Sequence, residues 1–223
     1  MLEALEVIGR EGNSQATPNI HRSPRSRRVT KAAFDYVIVV PALLLLAPLM
    51  IFIAFLIKLE SPGPVFHRRR VRGRLGRGFN LYSFRTVYTN SNERLLENRA
   101  QWSTLLVSTR GNDDPRVTRT GKYLCRLGLD HLPFLFNILA RDMSFVGPYF
   151  LTKKDRLYIN RWRIEVIASE LPGFTGLWQI NNKKMSRLER AQLEIQYVRS
   201  WSLLLDIRIL MATFSVLRQE PVT

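Results

Sequence analysis

Two adjacent residues, Asp130 and His131, carry side chains well suited to chemistry in this chain. A carboxylate can act as a nucleophile or a metal ligand, and a neutral imidazole can act as a base or a ligand. Asp130 also lies just before Leu132 and Pro133, where a helix is predicted over residues 132–139 because proline is favoured in a first helical turn. An isolated aspartate just before a helix most often caps it. The residue types alone leave both roles open.

The segment over residues 34–57 places any such site at a membrane. It contains a single charged side chain, Asp35, and as a helix it would be about 36 Å long, enough to cross the roughly 30 Å hydrocarbon core of a bilayer. Both flanks are strongly basic, so a full crossing would move one arginine cluster across the membrane. Pro48 is expected to kink the helix. The segment is therefore either an anchor that crosses once or a re-entrant hairpin that leaves on the face it entered.

The charge balance limits the class of partner. The chain has 34 basic and 18 acidic residues, a formal net charge of +16, which favours nucleic acid, or anionic lipid together with phosphorylated substrates. The sequence has no zinc-finger spacing, RNA-binding aromatic signature or basic zipper, so we predict no nucleic-acid partner. A single cysteine, Cys125, excludes an internal disulfide and suits the cytoplasmic face.

Composition divides the chain into four parts. Residues 1–30 are rich in Ser, Pro, Asn and Arg, which predicts a disordered basic tail. The membrane segment follows at 31–60. Residues 61–218 are long enough for one domain with its own core, and 219–223 form a second tail.

The pattern within the domain predicts a mixed but mostly helical structure. Apolar residues at alternate positions, with glycines between them, predict a β-hairpin with an arginine-rich turn between Phe66 and Phe84. A basic amphipathic helix suited to the headgroup layer is predicted within 151–171. The other predicted helices span residues 92–107, 121–127, 132–139, 185–198 and 203–217.

Many short motifs follow one another in a recognisable order. They read FD at 34–35, SPGPVF at 61–66, FRT at 84–86, DPRVTRTG at 114–121, LDxLP at 129–133, NIL at 137–139, DMSFVGP at 142–148, PGFTGLWQ at 172–179, YV at 197–198, WSL at 201–203 and Asp206. This order resembles the bacterial sugar transferases, the monotopic phosphoglycosyl transferases that start exopolysaccharide and other surface-glycan synthesis. The similarity covers about residues 31–218.

The resemblance implies a reaction and a place for it. A sugar-1-phosphate passes from a nucleotide diphosphate sugar to a polyprenyl phosphate, usually undecaprenyl phosphate, through a covalent phosphosugar intermediate on an aspartate, with Mg²⁺ nearby. The implied location is the cytoplasmic face of the bacterial inner membrane. The implied fold is α/β and mostly helical, held in one leaflet by interfacial amphipathic helices and a re-entrant helix hairpin broken at Ala47-Pro48. Anionic membrane lipid is an expected partner, and a homo- or hetero-oligomer is compatible with the family.

Carried over residue by residue, the resemblance makes Asp130 the nucleophile and a neighbour of Mg²⁺, with His131 beside it. Arg85, Arg116 and Arg126 are candidates for binding substrate phosphate, because guanidinium groups bind phosphate oxygens in a bidentate geometry. Each of these arginines has an alternative role in a surface salt bridge or a headgroup contact.

Five positions near the expected site depart from the family pattern. The glutamate that usually follows the aspartate is His131, which supplies no negative charge and suits Mg²⁺ poorly. Ser83 stands where lysine is usual, Cys125 where arginine is common, Phe134 where glutamine is usual, and Tyr149 in place of an arginine. Two hypotheses follow: an active transferase with a modified site, or a catalytically impaired relative that acts as a membrane-bound binding or regulatory partner in the same pathway.

Overall fold

One long helix, α1 (Arg25–Glu60), dominates the computed structural model of the protein. The structure describes residues 24–89, 114, 116–151, 158–181 and 185–219. Within this part of the chain, α1 is the one helix long and apolar enough to cross a membrane. The helix begins at Arg25 rather than at residue 31, so the last residues of the predicted tail are helical. Residues 1–23 lie outside the described residues.

The helical conformation of α1 continues through both of its prolines, Pro41 and Pro48. A proline removes one main-chain hydrogen bond, and the bonds of the neighbouring turns can keep a helix intact on either side. The break predicted at Ala47-Pro48 is therefore not an interruption of the helix. The re-entrant topology itself stays a prediction.

The predicted β-hairpin is confirmed. β1 (Phe66–Arg72) pairs with β2 (Gly78–Phe84) in an antiparallel register that places Phe66 opposite Phe84. The connection between the strands contains a short 3₁₀ turn, Arg74–Gly76. At the start of β2 the side chains of Phe79 and Leu81 are buried and Gly78 and Asn80 are exposed, as the alternating pattern predicts, and the alternation ends before Phe84, which is also buried.

Most of the predicted helices are confirmed with small changes at their ends. The described helices after the hairpin are α2 (Arg119–Leu127), α3 (Phe134–Leu139), α4 (Arg161–Ile167), α5 (Leu177–Ile180), α6 (Arg187–Ser200) and α7 (Leu203–Gln219). The helix predicted at 92–107 lies outside the described residues.

The long amphipathic helix predicted within 151–171 is not one continuous helix. The described helix there is the seven-residue α4, and residues 152–157 lie outside the described residues. Asn160 has a ψ of 144°, which is extended backbone, so helical structure cannot run through it.

A second small sheet, which the sequence pattern did not predict, joins two of the glycine-containing motifs. β3 (Ser144–Val146) runs parallel to β4 (Gly173–Thr175). The two chains approach so closely that a Cβ atom on Gly173 would lie 2.2 Å from the backbone nitrogen of Gly147. Side chains larger than glycine are therefore excluded at this crossing.

The core consists of three apolar clusters, and α1 contributes to two of them. One cluster lies among α4, α5, α6 and α7. The second joins β2 and α3 to the N-terminal half of α1 around Val39, and the third joins β2 and α2 to the C-terminal half of α1 around Ile53. The domain therefore packs along α1 from one end of the helix to the other.

The opposite face of α1 is not covered by any part of the domain that the structure describes. Its exposed apolar side chains are Val37, Leu44, Leu45, Ile51, Phe52, Phe55 and Leu59. A continuous apolar surface of this length marks contact with a membrane or a partner. Together with the composition of the helix, it favours lipid.

Candidate active site

Asp130 lies in a 3₁₀ turn, Leu129–His131, that connects α2 to α3. Gly128 ends α2 with a φ of 67°, a left-handed conformation that favours glycine and redirects the chain into the turn. The N-cap position of α3 is Pro133, and no side chain caps that helix. Asp130 therefore does not cap α3. Its carboxylate remains available.

The carboxylate of Asp130 is mostly buried and lies 3.3 Å from Nδ1 of His131, with 16% of its side chain exposed. Burial raises the pKa of Asp130, and the charge of a protonated His131 lowers it. A carboxylate must be ionised to act as a nucleophile. His131 therefore opposes the effect of burial and favours the reactive form of its neighbour.

The turn that carries Asp130 is held in place by the end of α1. Glu60 accepts hydrogen bonds from backbone N–H groups in the first turn of α2, including that of Thr120 at 2.9 Å. A Cβ atom on Gly121 would lie 2.2 Å from the carbonyl oxygen of Thr86, just after β2. The end of α1, the end of β2 and the start of α2 are thus packed into one unit, which fixes Asp130 relative to the membrane segment.

Arg85, the first predicted phosphate-binding arginine, is buried in the link between α1 and β1. Its guanidinium donates to the carbonyl oxygens of Ser61 at 2.7 Å and Pro62 at 2.9 Å. Only 7% of the residue is exposed. In this structure the charge of Arg85 stabilises the backbone that follows α1, and its role toward substrate stays a prediction.

The other two predicted arginines are more accessible. Arg116 forms a bidentate pair with Asp114, with an Nη2 to Oδ2 distance of 2.6 Å, and this pairing raises the pKa of Arg116. Arg126 is exposed in the last turn of α2, which leads directly into the Asp130 turn, and has no ion pair among the described residues. Among the three predicted arginines, Arg126 is thus the exposed one without an ion pair to a described residue, and its role toward substrate stays a prediction.

The comparison with known proteins decides the family. The family described as "Bacterial sugar transferase" matches residues 26–220, most of the chain. The protein belongs to the bacterial sugar transferase family. The prediction from the sequence motifs is thereby confirmed.

Several named relatives are similar over most of this sugar transferase. The exopolysaccharide production protein ExoY of Sinorhizobium fredii is 36% identical, over 83% of this chain and 84% of the relative. An undecaprenyl-phosphate glucose phosphotransferase of Komagataeibacter xylinus is 36% identical, over 87% of this chain. A UDP-glucose:undecaprenyl-phosphate glucose-1-phosphate transferase of Xanthomonas campestris pv. campestris is 37% identical, over 83% of this chain. The match spans only 37% and 38% of the latter two relatives.

Two of the departures from the family pattern touch one another in this sugar transferase. The ring of His131 packs against the ring of Phe134, with centroids 4.9 Å apart and an interplanar angle of 30°. Phe134 in turn meets Phe174 edge to face at 6.0 Å. The two substitutions therefore belong to one aromatic contact, which orients the imidazole beside Asp130.

Cys125 stands where the resemblance leads us to expect an arginine. Burial and the charge of the nearby Asp130 carboxylate raise the pKa of the Cys125 thiol. The thiol thus stays protonated near neutral pH. The position therefore faces the candidate nucleophile but supplies no positive charge. Ser83, where lysine is usual, pairs across the hairpin with His67.

Tyr149, which replaces another family arginine, lies beside an arginine from a different element. Its ring stacks on Phe150 at 4.5 Å and meets Trp178 edge to face at 5.1 Å. The guanidinium of Arg190, on α6, lies over the rings of Tyr149 and Trp178 at 5.3 and 5.1 Å. A guanidinium is thus still present beside position 149. Sequence reasoning missed Arg190, whose one signal is its i, i+4 spacing to Glu194.

The sequence also did not predict that the charged residues near the start of α1 form a network of hydrogen bonds and ion pairs. Asp35 is fully buried and accepts hydrogen bonds from the Ser144 hydroxyl at 2.9 Å and the Phe145 N–H at 3.1 Å. Lys31 pairs with buried Asp206 at 2.7 Å. The signal was Asp35 itself, because a charge in an apolar segment is costly unless it is paired.

The residues around Asp130 fit Mg²⁺ in one mode only. Across the described ranges there is no group of three or more His, Cys, Asp or Glu that could hold a metal ion. Mg²⁺ is often bound through one or two carboxylates together with substrate phosphates and water. Asp130 offers the one carboxylate, and His131 offers a nitrogen that Mg²⁺ disfavours. The ion would therefore depend on the phosphates of a bound donor for most of its ligands.

Proposed function

We propose that the protein transfers a sugar-1-phosphate from a nucleotide diphosphate sugar to undecaprenyl phosphate, the initiating step of exopolysaccharide or other surface-glycan synthesis. Relatives named as undecaprenyl-phosphate sugar phosphotransferases support the reaction, and ExoY supports the pathway class. The structural observation that carries the proposal is the Asp130 carboxylate, which caps no helix. It lies in a turn that is fixed to the end of the apolar helix.

The proposed chemistry has two displacements at the same phosphorus. The Asp130 carboxylate attacks the β-phosphorus of the donor, the bond to the bridging oxygen breaks, and a nucleoside monophosphate leaves. A phosphate oxygen of undecaprenyl phosphate then attacks the phosphorus, releases the Asp130 carboxylate and forms the lipid-linked diphosphate sugar. No oxidant, reductant or net hydrolysis is involved.

The residues around Asp130 divide the remaining work. His131, when protonated, favours the ionised carboxylate, and Phe134 holds its ring. Arg126 is placed to attract the donor diphosphate, because its guanidinium is exposed where the turn begins. Mg²⁺, held by Asp130 and donor phosphates, would neutralise the charge on the diphosphate.

Both ends of α1 bind the same domain, which supports a location of the domain at one face of the membrane. Near its start, Lys31 pairs with Asp206 at 2.7 Å, and at its end Glu60 bonds the N–H of Thr120 at 2.9 Å. A helix that crossed a bilayer once would have its ends on opposite faces, where one water-soluble domain cannot bind both. We therefore propose a re-entrant α1 that bends at Pro48 without losing its helical conformation, with the domain on the cytoplasmic face of the inner membrane.

The reaction is tested with the purified full-length protein, undecaprenyl phosphate, Mg²⁺ and a panel of UDP-sugars, by following release of nucleoside monophosphate. We expect release with at least one donor, and its loss in Asp130→Asn by about a thousandfold or more. The matched control is Glu165→Gln, which makes the same change of chemistry on the surface of α4, where Glu165 pairs with Arg161. Release that survives in Asp130→Asn contradicts the assignment.

The same assay identifies the impaired-relative alternative. In that case the natural protein releases no nucleotide from any donor, and the double variant His131→Glu with Tyr149→Arg restores release by returning the family's residues. An unmodified protein with activity excludes this alternative.

A further inference from the structure

A basic cavity of about 480 Å³ lies between the hairpin turn and the start of α1. Its charged lining consists of four arginines and one acid: Arg28, Arg74, Arg77, Arg141 and Asp142. The volume is in the range of small-molecule sites. A cavity with this excess of guanidinium groups attracts anions, and phosphate in particular.

The cavity is separate from the Asp130 turn. Asp130 precedes α3 and Arg141 follows it, so the helix, about 9 Å long for its six residues, lies between the two places. The Asp130 turn packs near the C-terminal end of α1, whereas Arg28 belongs to its first two turns. The two sites are therefore at opposite ends of the membrane segment.

Backbone strain is concentrated at this cavity. Among the described residues, Leu75 and Arg141 are the two non-glycine residues with positive φ, at 52° and 64°, and both line the cavity. Such conformations cost free energy and persist where surrounding contacts impose them. Leu75 is held by a hydrogen bond from its N–H to the carbonyl oxygen of Ala168 at 2.6 Å. The conformation of the cavity wall at Leu75 is thus fixed by a contact with another part of the domain.

Part of the positive charge in the cavity is unused by the fold. Arg74 donates to the carbonyl oxygen of Ser169 at 2.9 Å, and Arg141 lies 3.4 Å from Asp35. Arg28 and Arg77 are exposed and have no ion pair within the described residues. Arg28 and Arg77 therefore line the cavity without an ion pair to any carboxylate that the structure describes.

The position of Arg28 indicates where the anion comes from. Arg28 precedes the apolar run at Phe34 by under two helical turns, about 9 Å along α1. If this end of α1 enters the membrane as in the proposed function, the cavity lies at the level of the lipid phosphates. We propose that the cavity binds the phosphate of an anionic phospholipid headgroup and so fixes the N-terminal end of α1 in the cytoplasmic leaflet.

The proposal is tested by calorimetric titration of the full-length protein, in a nonionic detergent, with dihexanoyl phosphatidylglycerol. We expect saturable binding that weakens by about tenfold or more in the double variant Arg28→Gln with Arg77→Gln. The matched control is Arg25→Gln with Arg70→Gln, which removes the same charge from the same helix and the same hairpin, outside the cavity. We expect less than about a twofold change there.

Further titrations distinguish a lipid phosphate from free phosphate, and a second variant covers the case in which the double variant does not fold. Titration with sodium phosphate should give binding at least about tenfold weaker than the phospholipid; equal affinity overturns the lipid assignment. Equal weakening in both double variants, or binding that does not saturate, overturns the cavity as a site. The single variant Arg77→Glu, at an exposed residue, repeats the test if the double variant does not fold. The titration contains no sugar donor, so its failure is distinct from failure of the transfer reaction.

Discussion

At the scale of single residues, two of the five departures from the family pattern contact each other, and a third lies beside an arginine. His131 and Phe134 form one aromatic contact beside Asp130, and Tyr149 shares its surroundings with Arg190. Substitutions that are packed together can preserve a function that each alone would disturb. Whether the departures leave the enzyme active is the question that the nucleotide-release assay answers.

The charge of His131 gives a pH prediction for catalysis. Burial raises the pKa of Asp130 and a protonated His131 lowers it, so His131→Gln should raise that pKa further. Because the ionised carboxylate is the nucleophile, the acidic limb of the activity profile should move to higher pH. The measurement is nucleoside monophosphate release as a function of pH. His67→Gln, an exposed histidine on β1, is the control and should leave the limb in place. A limb that stays or moves to lower pH in His131→Gln contradicts this role.

A second residue, Glu194 on α6, gives a pH prediction for stability. Its carboxyl is 2% exposed, no described group hydrogen-bonds it with normal geometry, and burial raises its pKa to about 8 despite Arg190 and the Tyr149 N–H. The folded protein therefore keeps the carboxyl protonated at a pH where the unfolded chain ionises it. The stabilisation is complete below about pH 4.5 and is lost as the pH rises through about 8.

Glu194→Gln should remove this pH dependence. In thermal unfolding in detergent, the natural protein should lose on the order of several kcal/mol of unfolding free energy between pH 5 and 8. The unfolding free energy of the variant should change less with pH. Glu165→Gln, on the surface of α4, should retain the natural slope. A natural protein whose stability rises across that range would show that Glu194 is ionised and paired.

At the scale of elements, sequence patterns predicted what local signals determine. The hairpin followed from alternating apolar residues, and α6 from helical periodicity, with a capping box formed by Ser186 and Glu189 at its start. The parallel pair β3 and β4 could not be predicted, because three-residue strands give no readable alternation and their partners are distant in sequence. The break at Asn160 likewise has no proline or glycine to mark it.

The packing of α2 against β2 gives a prediction for Gly121. A Cβ atom there would lie 2.2 Å from the backbone oxygen of Thr86, so Gly121→Ala must push α2 and the Asp130 turn away from β2. We expect a loss of about 1–3 kcal/mol or more in unfolding free energy, with reduced activity. Gly78→Ala is the control, since its Cβ would meet the Arg70 side chain at 3.5 Å, an ordinary contact. Equal tolerance of both changes would contradict the close packing.

At the scale of the whole molecule, α1 is the element on which both proposed sites depend. Its C-terminal end binds, through Glu60, the start of the helix α2 that leads to the Asp130 turn, and its N-terminal end borders the basic cavity. The sequence predicted Asp130 and the membrane segment, because both are marked by local motifs. It could not predict that Arg85 is buried against main-chain carbonyls, since that depends on how α1 and β2 meet.

The topology of α1 predicts the labelling of two cysteines. In a Cys125→Ser background, Arg25→Cys and Arg70→Cys place single exposed thiols at the start of α1 and on β1. Both should react with a membrane-impermeant maleimide in inverted inner-membrane vesicles, and neither in intact cells with a permeabilised outer membrane. Reaction of the residue 25 thiol from the periplasmic side would show that α1 crosses the membrane.

The most direct test of the account is a search for the covalent intermediate on Asp130. The full-length protein is mixed with UDP-sugars and Mg²⁺ without undecaprenyl phosphate, quenched rapidly, and analysed by intact-protein and peptide mass spectrometry. We predict an added mass of one sugar phosphate on the peptide that contains Asp130, absent from Asp130→Asn and discharged when undecaprenyl phosphate is added. Nucleotide release without this adduct, or an adduct on another residue, would contradict Asp130 as the nucleophile.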